Sequence, residues 1–252
     1  VAIARTGADP FAVASAFTLE ARAQDMGHGL AIDFEQRTEQ VDWRYTRDGQ
    51  GVSGVEDALT VTGDLLLTYG SSRKSGLSAY QLTPGAVDKV PHLRWQFQRA
   101  ADSGSTPVVR GESVFVQGDK RLAKVDLGTG AATWQTTMRI SNPRYTSLVA
   151  AGDQVFYGWE GLLCFDAEAN RYEPLYDAEV DFEGRLIASE DLRAKLKLDQ
   201  LSGDDGGLAR AEEIWQDKAI KSGPLGCSTP AVSDGRIVIR LRNAVVCYDL
   251  RR

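Results

Sequence analysis

The dipeptide Trp-Gln occurs at Trp95-Gln96, Trp134-Gln135 and Trp215-Gln216, each time a short way past a run of β-type residues ending in an Asp turn. Recurrence of this kind marks an array of one repeated sheet unit. A repeat constrains the fold more than any single motif, because each unit has an apolar face that only a neighbouring unit can cover. The unit reads most clearly in its middle copy. Ser105-Thr106-Pro107 opens it, and Val108-Val109 lead to a turn at Arg110-Gly111-Glu112. Val114-Phe115-Val116 follow, then a turn at Gly118-Asp119, then Leu122-Ala123-Lys124-Val125-Asp126. A last turn, Gly128-Thr129-Gly130, leads to Ala131-Ala132-Thr133-Trp134. These are short β-prone runs bounded by Gly and Asp, the residues that turns select.

The other copies align on this one. Ser228-Thr229-Pro230 repeats the opening, and Ser233-Asp234-Gly235 repeats the turn before Ile237-Val238-Ile239. Gly152-Asp153 before Val155-Phe156-Tyr157 and Gly63-Asp64 before Leu65-Leu66-Leu67 give the same hairpin. The third run recurs as Leu30-Ala31-Ile32-Asp33, Leu77-Ser78-Ala79-Tyr80, Leu162-Leu163-Cys164-Phe165-Asp166, Leu196-Lys197-Leu198-Asp199 and Val245-Val246-Cys247-Tyr248-Asp249. The closing aromatic recurs as Trp43, Trp95, Trp134, Tyr176 and Trp215. About forty residues with four strands is the length of one propeller blade. The expectation is an all-β fold: a β-propeller of four-stranded antiparallel blades, about six units in this chain, as part of a seven- or eight-bladed ring or as a six-bladed monomer.

The run from Leu122 to Gly130, followed by Trp134, resembles the PQQ-like β-propeller repeat family. The resemblance covers residues 27–252 and is strongest over 100–170 and 224–250. It implies the fold and does not imply quinone binding, since many members carry no cofactor. Quinone-dependent alcohol dehydrogenases of this kind show two adjacent cysteines, and here Cys164, Cys227 and Cys247 are far apart. The fourth copy departs from the pattern with Asn170-Arg171-Tyr172 in place of the Gly turn. The fifth expands the turn into Leu201–Gly207.

Within this frame the repeated Trp residues read as packing between blades, since large aromatics mostly serve as core. Leu192, Ala194, Leu196 and Leu198 alternate with Arg193, Lys195 and Lys197, which reads as an outer strand with one charged face. Cys164 and Cys247 share one register and read as buried thiols among apolar neighbours. A Cys227–Cys247 pairing within one blade stays open. The strand-end aspartates Asp33, Asp126, Asp166, Asp199 and Asp249 read as turn formers whose carboxylates accept from backbone N–H groups.

The chain is read as one propeller domain over 1–252, with 1–29 an irregular or inserted segment and the first and last blades incomplete. Val1–Ala4 reads as the tail of a second strand, and Phe11–Ala21 as either a short helix or a strand. The spacing from Pro107 to Trp134 puts the closing aromatic of the last unit beyond Arg252. These incomplete units lead to the expectation of an unpaired sheet edge, completed by a second chain or a further fragment of the same polypeptide. Residues 5–29 are the favoured place for specific recognition, because insertions on one face of a repeat array build its binding face.

Catalytic signals are sparse. His28 and His92 read as turn and loop residues, and neither belongs to a nucleophile motif. No phosphate-binding loop occurs. Asp204-Asp205-Gly206-Gly207 reads as a solvated turn rather than a calcium loop, which needs ligands from several positions. The cysteine spacing fits no metal pattern. No catalytic, cofactor-binding or metal-binding residue is assigned, and no cofactor is expected. The net charge of −6 argues against general nucleic-acid binding. No apolar run reaches the roughly 20 residues of a membrane span. The favoured reading is a non-catalytic, extracytoplasmic (periplasmic or secreted) scaffold that recognises a protein or glycan through propeller loops. Two enzyme readings stay open. One is a quinone-dependent oxidoreductase. The other is a propeller-type polysaccharide lyase or hydrolase, for which His28, Arg44 and Tyr45 are the only loose candidates.

Overall fold

The computed structural model describes residues 2–6, 9–13, 28–30, 44–46, 58–70, 76–81, 92–100, 105–118, 120–137, 146–158, 161–201, 206–224 and 229–251. The chain divides into two compact units, Val1–Tyr145 and Thr146–Arg252.

In the first unit, β1 (Ala2–Thr6) pairs antiparallel with β2 (Asp9–Val13), and β3 (His28–Leu30) with β4 (Arg44–Thr46). Phe11 to Val13 are therefore strand. Of the first expected unit, Ala31–Asp33 and Trp43 lie outside the described residues, as does most of the 5–29 segment. Next come β5 (Ala58–Thr62), β6 (Leu65–Tyr69), β7 (Leu77–Gln81) and β8 (His92–Phe97), paired in chain order as one four-stranded sheet. A second four-stranded sheet follows the same order: β9 (Val108–Arg110), β10 (Ser113–Gly118), β11 (Arg121–Asp126) and β12 (Ala132–Thr137). Gly63 and Gly111 open their two-residue hairpin loops at φ 56. Glycine takes that left-handed conformation without the Cβ clash that penalises other residues.

One core joins these two sheets: Leu67, Tyr69, Leu77, Ala79 and Trp95 of the first meet Val114, Val116, Ala123 and Val125 of the second. Burying each Leu or Val side chain stabilises by about 1.5–3 kcal/mol. Trp95 locks the pair. Its Nε1–H donates to the Leu127 carbonyl at 2.9 Å, and its ring lies on Gly130, where a Cβ would come within 2.6 Å of it. The turn that presents Gly130 is shaped by Asp126, whose Oδ1 accepts from Thr129 N–H (2.8 Å) and Thr129 Oγ1 (2.6 Å). The Thr129 hydroxyl, above all, holds the Asp126 carboxyl below its usual range.

The second unit opens with β13 (Val149–Ala151), β14 (Gln154–Tyr157), β15 (Gly161–Asp166), β16 (Pro174–Val180) and β17 (Leu186–Ile187), a five-stranded meander. Three helices interrupt the pattern: α1 (Ser189–Lys195), α2 (Leu198–Leu201) and α3 (Gly207–Ser222). The sheet of β18 (Ala231–Ser233), β19 (Arg236–Arg240) and β20 (Val245–Asp249) follows. Phe156, Leu162, Cys164 and Val180 of the five-stranded sheet pack against Ile237 and Ile239 of β19.

The closing aromatic occupies one register place in three sheets. Ala79 faces Trp95, Lys124 faces Trp134 and Cys164 faces Tyr176, and each pairing is followed by a bulge that leaves Arg94, Thr133 or Leu175 as the extra residue. Trp215 does not share this place. It lies in the middle of α3, not on a strand. Ala211, Trp215, Lys218 and Ser222 recur at helical spacing, and the buried or half-buried face of α3 carries them. The expected outer strand over 192–199 falls instead in α1, a turn at Leu196-Lys197 and α2. Leu192 and Leu196 are one helical turn apart, so a period of two and a period of 3.6 both fit this run. Good helix formers decide it, with Glu190 and Asp191 in the first turn of α1 and Arg193 and Lys195 in the last, matching the helix dipole. Asp199, in α2, is consequently no turn former; it pairs with Arg193 at 2.8 Å. His28 and His92 begin strands β3 and β8 rather than sitting in a turn and a loop.

Candidate interaction surface

Cys164 and Cys247 stand two residues before Asp166 and Asp249, which close equivalent strands. Asp166 accepts from Glu168 N–H at 2.7 Å and Asp249 from Arg251 N–H at 3.0 Å. In β15 the N–H of Asp166 points towards the β16 side, donating to the Glu173 carbonyl. Successive residues of an antiparallel strand direct their backbone groups to opposite sides, so Cys164 and Leu162 bond to β16. In β20 the N–H of Leu250 donates to Gly235, next to β19. By the same alternation Val246 and Tyr248 bond to β19, while Val245, Cys247 and Asp249 direct their backbone groups away from it. No described strand pairs with that side of β20.

Burial follows the pairing. Cys164 is 5% exposed, and burial, helped by Asp166, pushes its thiol up to about 11. Cys247 is exposed, and Val245 is 69% exposed. The expectation of a buried Cys247 is therefore corrected: the thiol is exposed, and among the described residues β20 pairs with β19 alone. The other face of β20 is anchored, with Tyr248 Oη donating to the Gly184 carbonyl at 2.8 Å. Burial raises the Tyr248 hydroxyl to about 12, with Asp181 and Tyr176 adding to the effect.

The helices are tied to the β16–β17 hairpin from both ends. Lys195 of α1 donates to Asp181 (3.1 Å) and Glu183 (2.7 Å). Lys218 of α3 is fully buried, 3.3 Å from Glu179 and 5.0 Å above the Trp215 ring. Burial pushes the Asp181 carboxyl up, but the N–H groups of Arg185 and Glu183 and the Lys195 ammonium outweigh it, and the net direction is down. The chain after α3 returns to the last sheet through a bridge between Pro224 and Leu241. Neither lysine stood out in the sequence; the period-two alternation around Lys195 hid a helix that only its acidic start and basic end betray.

The loose enzymatic candidates lie on one pair of strands. Gly29 faces Tyr45 and Leu30 faces Arg44 on the hairpin that His28 begins. His92 is exposed, opposite Gln81. Cys227, Asp204 and Asp205 lie outside the described residues, and among the described residues no cluster of His, Cys, Asp or Glu could hold a metal ion.

The sequence profile of a PQQ-repeat family described as outer membrane protein assembly factor BamB matches residues 7–172. The chain belongs to this family. No curated protein matches it. Among solved structures, BamB from Moraxella catarrhalis is similar with a TM-score of 0.55 at 13% identity, covering 98% of this chain and 57% of that one. This chain thus spans 57% of the length of that BamB. The computationally designed Ika8 protein is similar with a TM-score of 0.50 at 11% identity, covering 99% of this chain and 70% of that one. The Cps50 (Swd1) β-propeller domain of Myceliophteria thermophila gives a TM-score of 0.50 at 11% identity, covering 81% of this chain and 56% of that one. These likenesses concern the fold, and with the four-stranded antiparallel sheets they make the chain a β-propeller. Among the described residues no helix is long and apolar enough to cross a membrane.

Proposed function

We propose that the protein is a non-catalytic, extracytoplasmic scaffold that binds polypeptide during the assembly of outer membrane proteins. The family match over residues 7–172 carries this reading. It favours a protein ligand over a glycan, and a site outside the cytoplasm, where outer membrane proteins meet their membrane. The match also runs without interruption from the first compact unit into the second, which supports one propeller domain over 1–252. The test is binding of a urea-unfolded outer-membrane β-barrel protein diluted into buffer with the protein. The expected result is saturable binding that a folded globular protein and a panel of oligosaccharides do not give. Binding of an oligosaccharide in place of the polypeptide would overturn the reading.

A further inference from the structure

We infer that α1 and α3 form a strap that opens as one piece while the sheets of the second unit stay folded, and that the buried Lys218–Glu179 pair is its latch. Such a moving part is independent of which ligand the protein binds.

The sheets do not need the helices. The core between the five-stranded sheet and the last one joins buried residues of β14, β15, β16 and β19 with Leu241, and no residue of α1, α2 or α3 belongs to it. Both ends of the helical segment are fixed in sheet. α1 leaves directly from β17 through an extended Ala188 that makes no side-chain cap. The chain after α3 is held by the bridge from Pro224 to Leu241, which is itself a core residue. The β16–β17 hairpin beside α1 is also satisfied without it. Asp181 accepts from the N–H groups of Glu183 and Arg185 at 2.9 and 2.8 Å, and the Gly184 carbonyl accepts from Tyr248. These bonds stay in place when Lys195 leaves.

Charge does much of the work of holding the helices down. Among the described residues, the apolar side chains they bury are Leu192, Leu198 and Ala211. Lys195 reaches Asp181 and Glu183 with a side chain that is 41% exposed, and ion pairs in contact with water hold little. Lys218 differs. It is fully buried, yet among the described residues its ammonium meets only one Glu179 oxygen at 3.3 Å and the Trp215 ring at 5.0 Å. An ammonium has several donors to satisfy, and a buried charge with so few partners regains only part of its lost hydration. The docked state therefore gains little from forming the pair, but loses much if one member is removed and the other stays charged. Opening returns both Lys218 and Glu179 to water. Segments that open separately from the core are where proteins place the moving parts of binding and regulation.

Residue-resolved hydrogen exchange on the whole protein, in rising but sub-denaturing urea, tests the strap. The amides of α1 and α3 should share one opening. That opening should be less costly and less urea-dependent than the one that exposes β14, β15 and β19. Glu179→Gln should speed exchange in α3 by about a hundredfold, and adding Lys218→Met to it should bring α3 most of the way back. Should Glu179→Gln not fold, Glu179→Asp serves: it keeps the charge, shortens the reach and should speed the same amides by a smaller factor. Three results would overturn the inference. Exchange of α1 and α3 at the free energy and urea dependence of the sheets would make the helices part of one cooperative core. Unprotected α3 amides in the unaltered protein would mean that no docked strap exists. An α3 exchange rate that Glu179→Gln does not change, or that Lys218→Met does not restore, would place the latch elsewhere.

Discussion

Cys164 in β15 and Cys247 in β20 are placed alike by sequence. Each sits in an apolar run two residues before a turn aspartate, and each faces the middle of the preceding strand, at Phe156 and Val238. Yet one thiol is buried with its ionisation pushed up to about 11, and the other is exposed. The strand itself is encoded locally, by alternation and by the Asp turn. Burial is encoded elsewhere, by the fourth strand and by the sheet that faces it. In a repeat array the core position of one unit is the property of two units, and reading each copy in isolation misassigns the copy whose neighbour differs.

The largest effect that would sharpen this comparison is at the closing aromatic. Trp95→Ala should cost about 3–5 kcal/mol in denaturant unfolding, the range for a large buried aromatic. Tyr176→Ala, at the same register place but 44% exposed, should cost less than half of that. Equal losses would mean that the register place, not its cover, sets the energy. Next comes the buried ion pair of the helical segment. Glu179→Gln leaves the buried Lys218 ammonium without its counter-charge and should cost about 3 kcal/mol, whereas Glu179→Gln combined with Lys218→Met removes both charges and should lie nearer neutral. A reversed order, seen in urea melts, would show that the pair does not hold α3. Gly130→Ala should then cost about 1–3 kcal/mol from overpacking against Trp95. The left-handed φ of 74 at Gly130 adds strain, and the same change at Gly111, with nothing near its Cβ position, should be milder. The smallest effect is alkaline. The Cys164 thiol is raised from 9.0 to about 11 on folding, so the folded state holds its proton more tightly. Its contribution is complete below pH 9 and is lost as pH rises towards 11. Stability measured across that window should fall less steeply in Cys164→Ala than in the unaltered protein.

Much of the fold was legible because the repeat combines period-two alternation with Gly and Asp turns. The hairpins at Gly63, Gly111, Gly152 and Asp234-Gly235 stand where the turn chemistry puts them. Asp126, Asp166 and Asp249 cap their turns as read. The fifth copy misled because Leu192, Leu196 and Leu198 satisfy two periods at once, and Trp215-Gln216 matched a dipeptide rather than a strand. Its surroundings, Ala209 to Lys221, hold strong helix formers and no Gly, Pro, Asn or Ser, and that is the signal that separates it from Trp95 and Trp134. The direction of the backbone groups of β20 was not legible in the sequence; it came from the Leu250 and Leu241 hydrogen bonds.

Residue-resolved thiol labelling of the native protein tests the contrast between covered and uncovered blades most directly. Cys247 should be alkylated within minutes under native conditions, and Cys164 only at the rate of unfolding, since buried thiols with raised ionisation react slowly. Equal, slow labelling of both would show β20 to be covered as β15 is, and would contradict the account.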